Sequence, residues 1–243
     1  MPEIVESSKL IDRIWGPASG LPTNMIRAIQ HAGGYVAGAF TDGELVGTSV
    51  AIRGRMKDCD VLHSHITGVR DPGHGVGCLL KQHQRSWCRD QGLEAVTWTF
   101  DPLVARNGWF NLTKLGAVGL HYLPDHYGSM DDPINRGDAT DRILAWWPAA
   151  LVPGATATVE PATLLLGCDD LDRPVLTGID PTQGQPVYAV TVPPDVDGLR
   201  AATPHRAAEW RTAVRATMGA AMGLGYAATA MPVKGVYHLR KPR

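Results

Sequence analysis

The ten residues Gly68–Gly77, GVRDPGHGVG, decide the interpretation of this chain, because a predicted strand enters them and a predicted helix leaves them. The first amide groups of a helix have no partner within it, and glycines let an anion approach the backbone closely. The turn is therefore a candidate site for a phosphate or a diphosphate. It lacks the lysine that follows in a P-loop, and it lacks the GxGxxG order of a dinucleotide-binding turn.

On either side of this turn the sequence predicts helices and strands that alternate in the middle of the chain. The dipeptide Asp42-Gly43 is a strong hairpin signal, and Thr23 or Asn24 is the expected N-cap of the second helix. This order predicts an α/β fold whose mixed sheet is antiparallel at the start and parallel at the strand-helix-strand units. Strands are expected at 35–40, 45–52, 61–69, 95–100, 118–123 and 142–147, and helices at 4–15, 21–31, 76–90 and 103–115.

Composition limits the classes of partner. Hydrophobic residues make up 44% of the 243 residues and charged residues 19%, which excludes a disordered chain. The formal net charge of -1 predicts no nucleic-acid or membrane partner, and no apolar run reaches the ~18 residues of a membrane span. Four cysteines without paired spacing fit a reducing cytoplasm and argue against a disulfide framework. We therefore expect a cytoplasmic protein.

Two domains of unequal size are predicted, 1–148 and 149–243. The second begins with a connector rich in Ala, Pro, Thr and Gly, AALVPGATATVEPAT, and continues from about residue 185 as strand, helix, strand and strand. Its long helix is expected at 204–222, covering a sheet. Because the strands need a partner, the extension is expected to pack on the same sheet or to complete a homodimer.

Two motifs carry a resemblance to a known family. The turn resembles the coenzyme A diphosphate loop of the GNAT acyltransferase superfamily, with Pro72, Gly75 and Gly77 at its three defined positions. Residues 105–116, ARNGWFNLTKLG, resemble the second motif of that superfamily, which ends here in Lys114-Leu115-Gly116, and Leu112 stands where the family often has a tyrosine acid. The element order through about residue 147 is similar as well, and the extension resembles that of a poorly characterised subgroup of predicted acetyltransferases.

The resemblance implies that residues 1–148 form a GNAT-like acyl-CoA-binding domain that uses acetyl-CoA as co-substrate. In this family pantetheine slots between two splayed parallel strands and pairs with the free edge of the first, which here would be 65–69. The implied cofactor-binding residues lie along that edge, in the turn and on the helix that follows the second strand. They are Ile66, Gly68, Val69, Gly73, His74, Gly75, Val76, Gly77, Cys78, Asn107, Asn111 and Lys114.

Four residues are candidates for the chemistry. His63 and His65 are two apart on a strand and so share a face, where the family often keeps a general base. Core histidines are the alternative. A zinc site would need a third ligand, for which His121 or Asp101 is a candidate, but the resemblance implies no metal because the family uses none. Asp101 is a candidate carboxylate, although the Asp-Pro sequence favours its role as the N-cap of the following helix. Tyr122 could replace the acid absent at Leu112.

The resemblance implies an N-acyltransferase in which the amine of an acceptor attacks the thioester directly. A small-molecule amine is the expected acceptor, and the acidic loop with Asp131, Asp132 and Asp138 would suit a cation. Two alternatives stay open at this point. One is a decarboxylase of malonyl-type thioesters on the same fold, and the other is a CoA-binding or interaction domain without catalysis.

Overall fold

The computed structural model describes residues 2–16, 21–128, 137–150 and 160–241. Contacts group the chain into two compact units, Met1–Trp98 with Pro148–Val152, and Thr99–Trp147 with Pro153–Arg243. This grouping does not test the domain boundary at 148, which stays a prediction. Asp131 and Asp132 lie outside the described residues, as does most of the predicted connector.

The first unit is an antiparallel sheet that ends in one parallel pair, flanked by three helices. β1, β2 and β3 pair antiparallel in sequence order, and β3 pairs parallel with β4. The predicted fold class, a mixed α/β sheet with this change of direction, is confirmed. The elements are α1 Pro2–Trp15, α2 Thr23–His31, β1 Tyr35–Thr41, β2 Glu44–Met56, β3 Cys59–Val69, α3 Val76–Asp90 and β4 Ala95–Phe100.

The helices of this unit cover both faces of the sheet. A Cβ on Gly68 would meet Trp15 of α1, whereas the next residue, Val69, approaches Val76 of α3 beside Gly47. Successive strand residues point to opposite faces, so α1 and α3 pack on opposite sides of β3. The core on the α1 side comprises Ile4, Ile11, Leu21, Ile26 and Val50, with Trp15, Ile29, Val36 and Ile66 against it.

The predicted β1–β2 hairpin is confirmed. Asp42 and Gly43 have φ of 51° and 81°, as a two-residue turn with both central residues in the left-handed region requires. The predicted cap of α2 is wrong, because the cap position is Pro22 and no side chain caps the helix. On α3 the buried face consists of Leu80, Lys81, Gln84 and Cys88, whereas Leu79 is 63% exposed.

The second unit is a sheet with the strand order β6-β5-β10-β11-β9-β7-β8. Its pairs are antiparallel except β7 with β9. Its first elements are α4 Ala105–Trp109, a π-helical turn Phe110–Lys114, β5 Val118–Leu123 and β6 Arg142–Pro148, followed by β7 Thr163–Cys168, β8 Pro174–Leu176, a 3₁₀ turn Pro181–Gln183 and β9 Val187–Thr191. Then come α5 Val196–Ala202, α6 Pro204–Val214, a π-helical turn Arg215–Gly219, α7 Ala220–Gly223, β10 Ala227–Val233 and β11 Val236–Arg240.

Three outcomes of the sequence interpretation lie in this unit. The strand-helix-strand-strand order after residue 185 is confirmed, and the long helix occupies 204–223 with one π-helical turn inside it. The helix expected at 103–115 begins instead at Ala105 and widens into a π-helical turn at Phe110. Strands β7 and β8 were not predicted. The short apolar run of β7 directly follows the predicted connector, and β8 is three residues long.

Candidate functional site

The first feature of the site is a fork between β3 and β4. Their parallel register covers three pairs, Val61–Ala95, Leu62–Val96 and His63–Thr97, although β3 continues to Val69. On its other edge β3 stays paired with β2 along almost its whole length. The edge of β3 that faces β4 is therefore free of that strand from residue 64 onward, as the sequence resemblance implies for the slot that holds pantetheine.

A β-bulge shapes the first residues beyond the fork. Val50 pairs with Ile66 and Ala51 with Ser64, so His65 has no partner in the ladder. The ring of His65 is exposed, yet partial burial lowers its pKa below the usual value of 6.5. His63 is half-buried, and its Nδ1 lies 3.2 Å from Oγ1 of Thr97. The bulge therefore places His65 out of register with β2, at the point where β3 separates from β4.

The second feature is the glycine-rich turn at the start of α3. Gly73 and Gly75 have φ of 106° and 80°, conformations that favour glycine, and residues 70–75 are exposed. No side chain caps α3, and its first turn carries no acidic residue. One detail differs from the expectation: the amide of Cys78 donates to the carbonyl of Gly75 (2.9 Å), so it is not free for an anion. His74 reaches back toward the carbonyl of Asp71, at 3.4 Å.

The predicted edge residues of β3 contribute backbone rather than free side chains. Ile66 packs against the core under α1, and Gly68 is buried where Trp15 leaves no room for a Cβ. Val69 packs toward α3, beside Val76. Their side chains are thus used by packing, whereas the strand edge that carries them has lost its β4 partner.

A buried lysine lies directly behind the fork and was not predicted as a site residue. Lys81 is 6% exposed, and its Nζ donates to Oγ of Ser64 (2.8 Å) and to Oε1 of Gln84 (3.2 Å). The same Nζ lies 4.0 Å from the centre of the Trp98 ring. Ser64 and Trp98 are the residues that follow the last β3–β4 pair, so the amine sits where the strands begin to separate. Burial lowers the pKa of Lys81 to about 7.

The second unit holds the other predicted residues, and Asp101 lies in a buried ion cluster there. Its carboxylate accepts from Arg211 (2.8 and 2.9 Å) and Arg200 (2.6 Å), and both arginines also bind Asp138. Burial alone would raise the pKa of Asp101, but the hydrogen bonds and charges of Arg211 and Arg200 outweigh it and lower the pKa to about 2. Oδ1 also accepts from the amide of Leu103 (2.9 Å), so the predicted cap closes a turn before α4 rather than α4 itself.

Tyr122 is held by a second ion pair. Its hydroxyl donates to Oδ2 of Asp141 (2.6 Å), which also pairs with Arg215. Burial, followed by the bond to Asp141, raises the pKa of Tyr122 far above its usual value. The hydroxyl proton of Tyr122 is thus held in a hydrogen bond to a carboxylate, and the tyrosine is poorly suited to protonate a thiolate. Leu112, at the usual position of a tyrosine acid, is buried.

The predicted polar face of Asn107 and Asn111 does not form. Asn107 on α4 is exposed, whereas Asn111 in the π-helical turn is buried. Lys114 is exposed, with its Nζ 5.7 Å from the centre of the Trp109 ring. Their roles in cofactor binding stay predictions.

Within residues 2–16, 21–128, 137–150 and 160–241, no group of three or more His, Cys, Asp or Glu side chains could hold a metal ion. None of the helices in this part of the chain is both long and apolar enough to cross a membrane.

Comparisons with known proteins give structural neighbours but no sequence relatives. No family model matches the chain, and no curated protein matches it. Among solved structures, the ribosomal-protein-S18-alanine N-acetyltransferase from Escherichia coli has 12% identity and a TM-score of 0.49, covering 64% of this chain and 93% of its own. A GNAT-family acetyltransferase from Streptococcus pneumoniae has 15% identity and a TM-score of 0.48, covering 60% and 94%.

A third neighbour is an aminoglycoside 6'-N-acetyltransferase complexed with coenzyme A, with 15% identity, a TM-score of 0.45, and 62% and 93% coverage. All three neighbours are acetyltransferases, the class that the sequence resemblance implies. At these identities and TM-scores the likeness carries no argument about activity, and the function has to rest on the residues of this chain.

Proposed function

We propose that the chain is an acyl-CoA-dependent N-acyltransferase of the GNAT type, with acetyl-CoA as the simplest donor and a small amine as acceptor. The observation that carries the proposal is the conjunction of a β3–β4 fork with an uncapped, glycine-rich helix start on the connecting segment. The amides of Val76 and Gly77 and the positive end of the helix dipole suit a diphosphate. The free edge of β3 suits an extended amide chain such as pantetheine.

In the proposed reaction the amine nitrogen of the acceptor attacks the thioester carbonyl. The C–S bond breaks, an amide forms, and the thiolate leaves with a proton to give the free thiol. We assign His65 as the group that takes the proton of the amine, because its lowered pKa keeps the imidazole neutral at pH 7. Asp101 is a weaker candidate, since two arginines occupy its oxygens.

The donor site is tested with the pair Gly77→Asp and Gly77→Asn. A Cβ at Gly77 would lie 3.8 Å from Val69, which is ordinary contact, so both variants are expected to fold. A carboxylate in the first turn of a helix stabilises it by ~0.3–1 kcal/mol but repels a bound diphosphate. We expect Gly77→Asp to lose at least about tenfold in acetyl-CoA affinity relative to Gly77→Asn, without loss of melting temperature. Equal affinities of the two variants, measured by calorimetry, would mean that the diphosphate does not bind at this turn.

The base is tested with His65→Gln beside His63→Gln, using the amine that an acceptor screen identifies. Loss of a general base lowers kcat by about 10²–10⁴-fold. We expect that loss for His65→Gln, and we expect the wild-type rate to fall as the pH drops through a value below 6.5. A larger loss of kcat in His63→Gln than in His65→Gln would indicate that His63 is the general base.

A further inference from the structure

Lys81 is a buried amine, and its hydrogen-bond and ring partners within the described residues are all neutral. The groups that face its Nζ are hydroxyl, amide and indole groups, which do not titrate near neutral pH. His63 precedes Ser64 on β3, so its side chain lies on the opposite face of the strand, where its Nδ1 is 3.2 Å from Oγ1 of Thr97. The polar network around Nζ comprises Ser64 and Thr67 of β3, Ser49 of β2, Gln84 of α3 and Trp98 of β4.

The buried cations of the second unit show the usual solution to this problem. Arg200 and Arg211 are neutralised by the carboxylates of Asp101 and Asp138. A buried charge without a counter-ion is strongly unfavourable, so an unpaired lysine in the core is either neutral or awaits an anion. The amine of Lys81 donates to two neutral oxygen acceptors and otherwise faces the Trp98 ring, so these contacts supply no neutralising charge.

The position of Lys81 indicates where such an anion would come from. Its Nζ lies at Ser64 and Trp98, immediately beyond the last paired residues of the fork. Under the proposed function this is the end of the slot that receives the thioester and its acyl group. A hydrogen-bonded carboxylate would neutralise the charge of Lys81.

We propose that Lys81 selects acyl-CoA donors whose acyl group ends in a carboxylate, of the malonyl or succinyl kind, over acetyl-CoA. This inference rests on the proposed function, because it places the acyl group in the fork. Pairing with a carboxylate favours the charged amine, so a group with a pKa of about 7 takes up a proton when such a donor binds at pH 8.

The test is titration calorimetry of the full chain with acetyl-CoA, malonyl-CoA and succinyl-CoA at pH 8, in buffers of different ionisation enthalpy. We expect at least about tenfold tighter binding of one carboxylated donor than of acetyl-CoA, with uptake of close to one proton. In Lys81→Met the preference and the proton uptake vanish while acetyl-CoA binding remains. Lys9→Met, which removes an exposed lysine from α1, keeps both.

The outcomes separate the two proposals. Equal affinities for the three donors in the wild type, or a preference that persists in Lys81→Met, overturn the role of Lys81 and leave the acyltransferase standing. An absence of binding by every CoA species rejects the proposed function itself. Because the proton uptake is measured on the wild type, the result does not depend on the folding of Lys81→Met.

Discussion

The burial of Lys81 predicts a specific pH dependence of stability. Its pKa of about 7 in the folded chain lies below the ordinary 10.5, so between these values the unfolded chain binds more protons. The titration of Lys81 therefore contributes an increase in stability with pH across this window. Replacing Lys81 by Met removes the titrating group and keeps a side chain of similar length.

The magnitude follows from the two pKa values. A group with pKa values of about 7 folded and 10.5 unfolded contributes a change of about 2 kcal/mol between pH 7 and pH 9. The variant also loses the bonds to Ser64 and Gln84, at ~1 kcal/mol each, but that loss is nearly independent of pH. The quantity to follow is thus the change with pH in the stability difference, wild type minus Lys81→Met.

The assay is urea unfolding of both chains at pH 7, 8 and 9, followed by tryptophan fluorescence. Between pH 7 and pH 9 we expect the free energy of unfolding of the wild type to increase by about 2 kcal/mol relative to that of Lys81→Met. Lys9→Met, an exposed control, should follow the wild type at every pH. A difference that stays constant over this range would mean that Lys81 keeps its charge in the fold, and the argument from an unpaired amine would then be refuted.

Three further predictions concern the second unit. Asp101→Asn should lower the free energy of unfolding by about 3–5 kcal/mol at pH 7, because it leaves two buried arginines with Asp138 as their shared carboxylate and so leaves one positive charge uncompensated, and the deficit should shrink as the pH falls from 4 toward 2; a stable but inactive variant would instead support a catalytic carboxylate. Gly108→Ala should cost about 1–3 kcal/mol in thermal unfolding, since its Cβ would collide with buried tyrosine and methionine side chains, whereas Gly223→Ala, with open space, should be neutral or stabilising. Tyr122→Phe should change kcat by less than about twofold while lowering the melting temperature, because the Tyr122 hydroxyl donates its hydrogen bond to Asp141. A large loss of kcat in a folded variant would instead indicate that Tyr122 is the general acid.

The sequence predicted the parts of the fold that local chemistry determines. The Asp42-Gly43 turn, the α3 segment after the glycines and the strands of the first unit follow from periodicity and turn residues. β8 is too short for a periodic signal, and the widening of α4 at Phe110 has none in the sequence. Both depend on tertiary packing, which a pattern of residue types does not contain.

The residues missed at the candidate site share one cause. Lys81 lies on a face with Gln84 and Cys88, at spacings of three and seven, but polar residues on a helix are ordinarily assigned to solvent. Its burial depends on Ser49 and Ser64 on the strands beneath, which accept hydrogen bonds where apolar side chains would not. The partners of Asp101, Arg200 and Arg211, are likewise far from it in the sequence, so local motifs could not predict their pairing.

The distribution of the candidate site along the chain explains what sequence could and could not predict about function. The fork, the glycine-rich turn and Lys81 all belong to β3, α3 and the first residues of β4, a single strand-helix-strand unit. A donor site of this kind is continuous in sequence, so its motifs can be recognised without a fold. An acceptor is bound by side chains that separate elements bring together, and no motif records such a set. For that reason the structure defines the acyl-CoA donor site better than the acceptor site. A comparison of acyl-CoA donors should therefore precede any search for the amine.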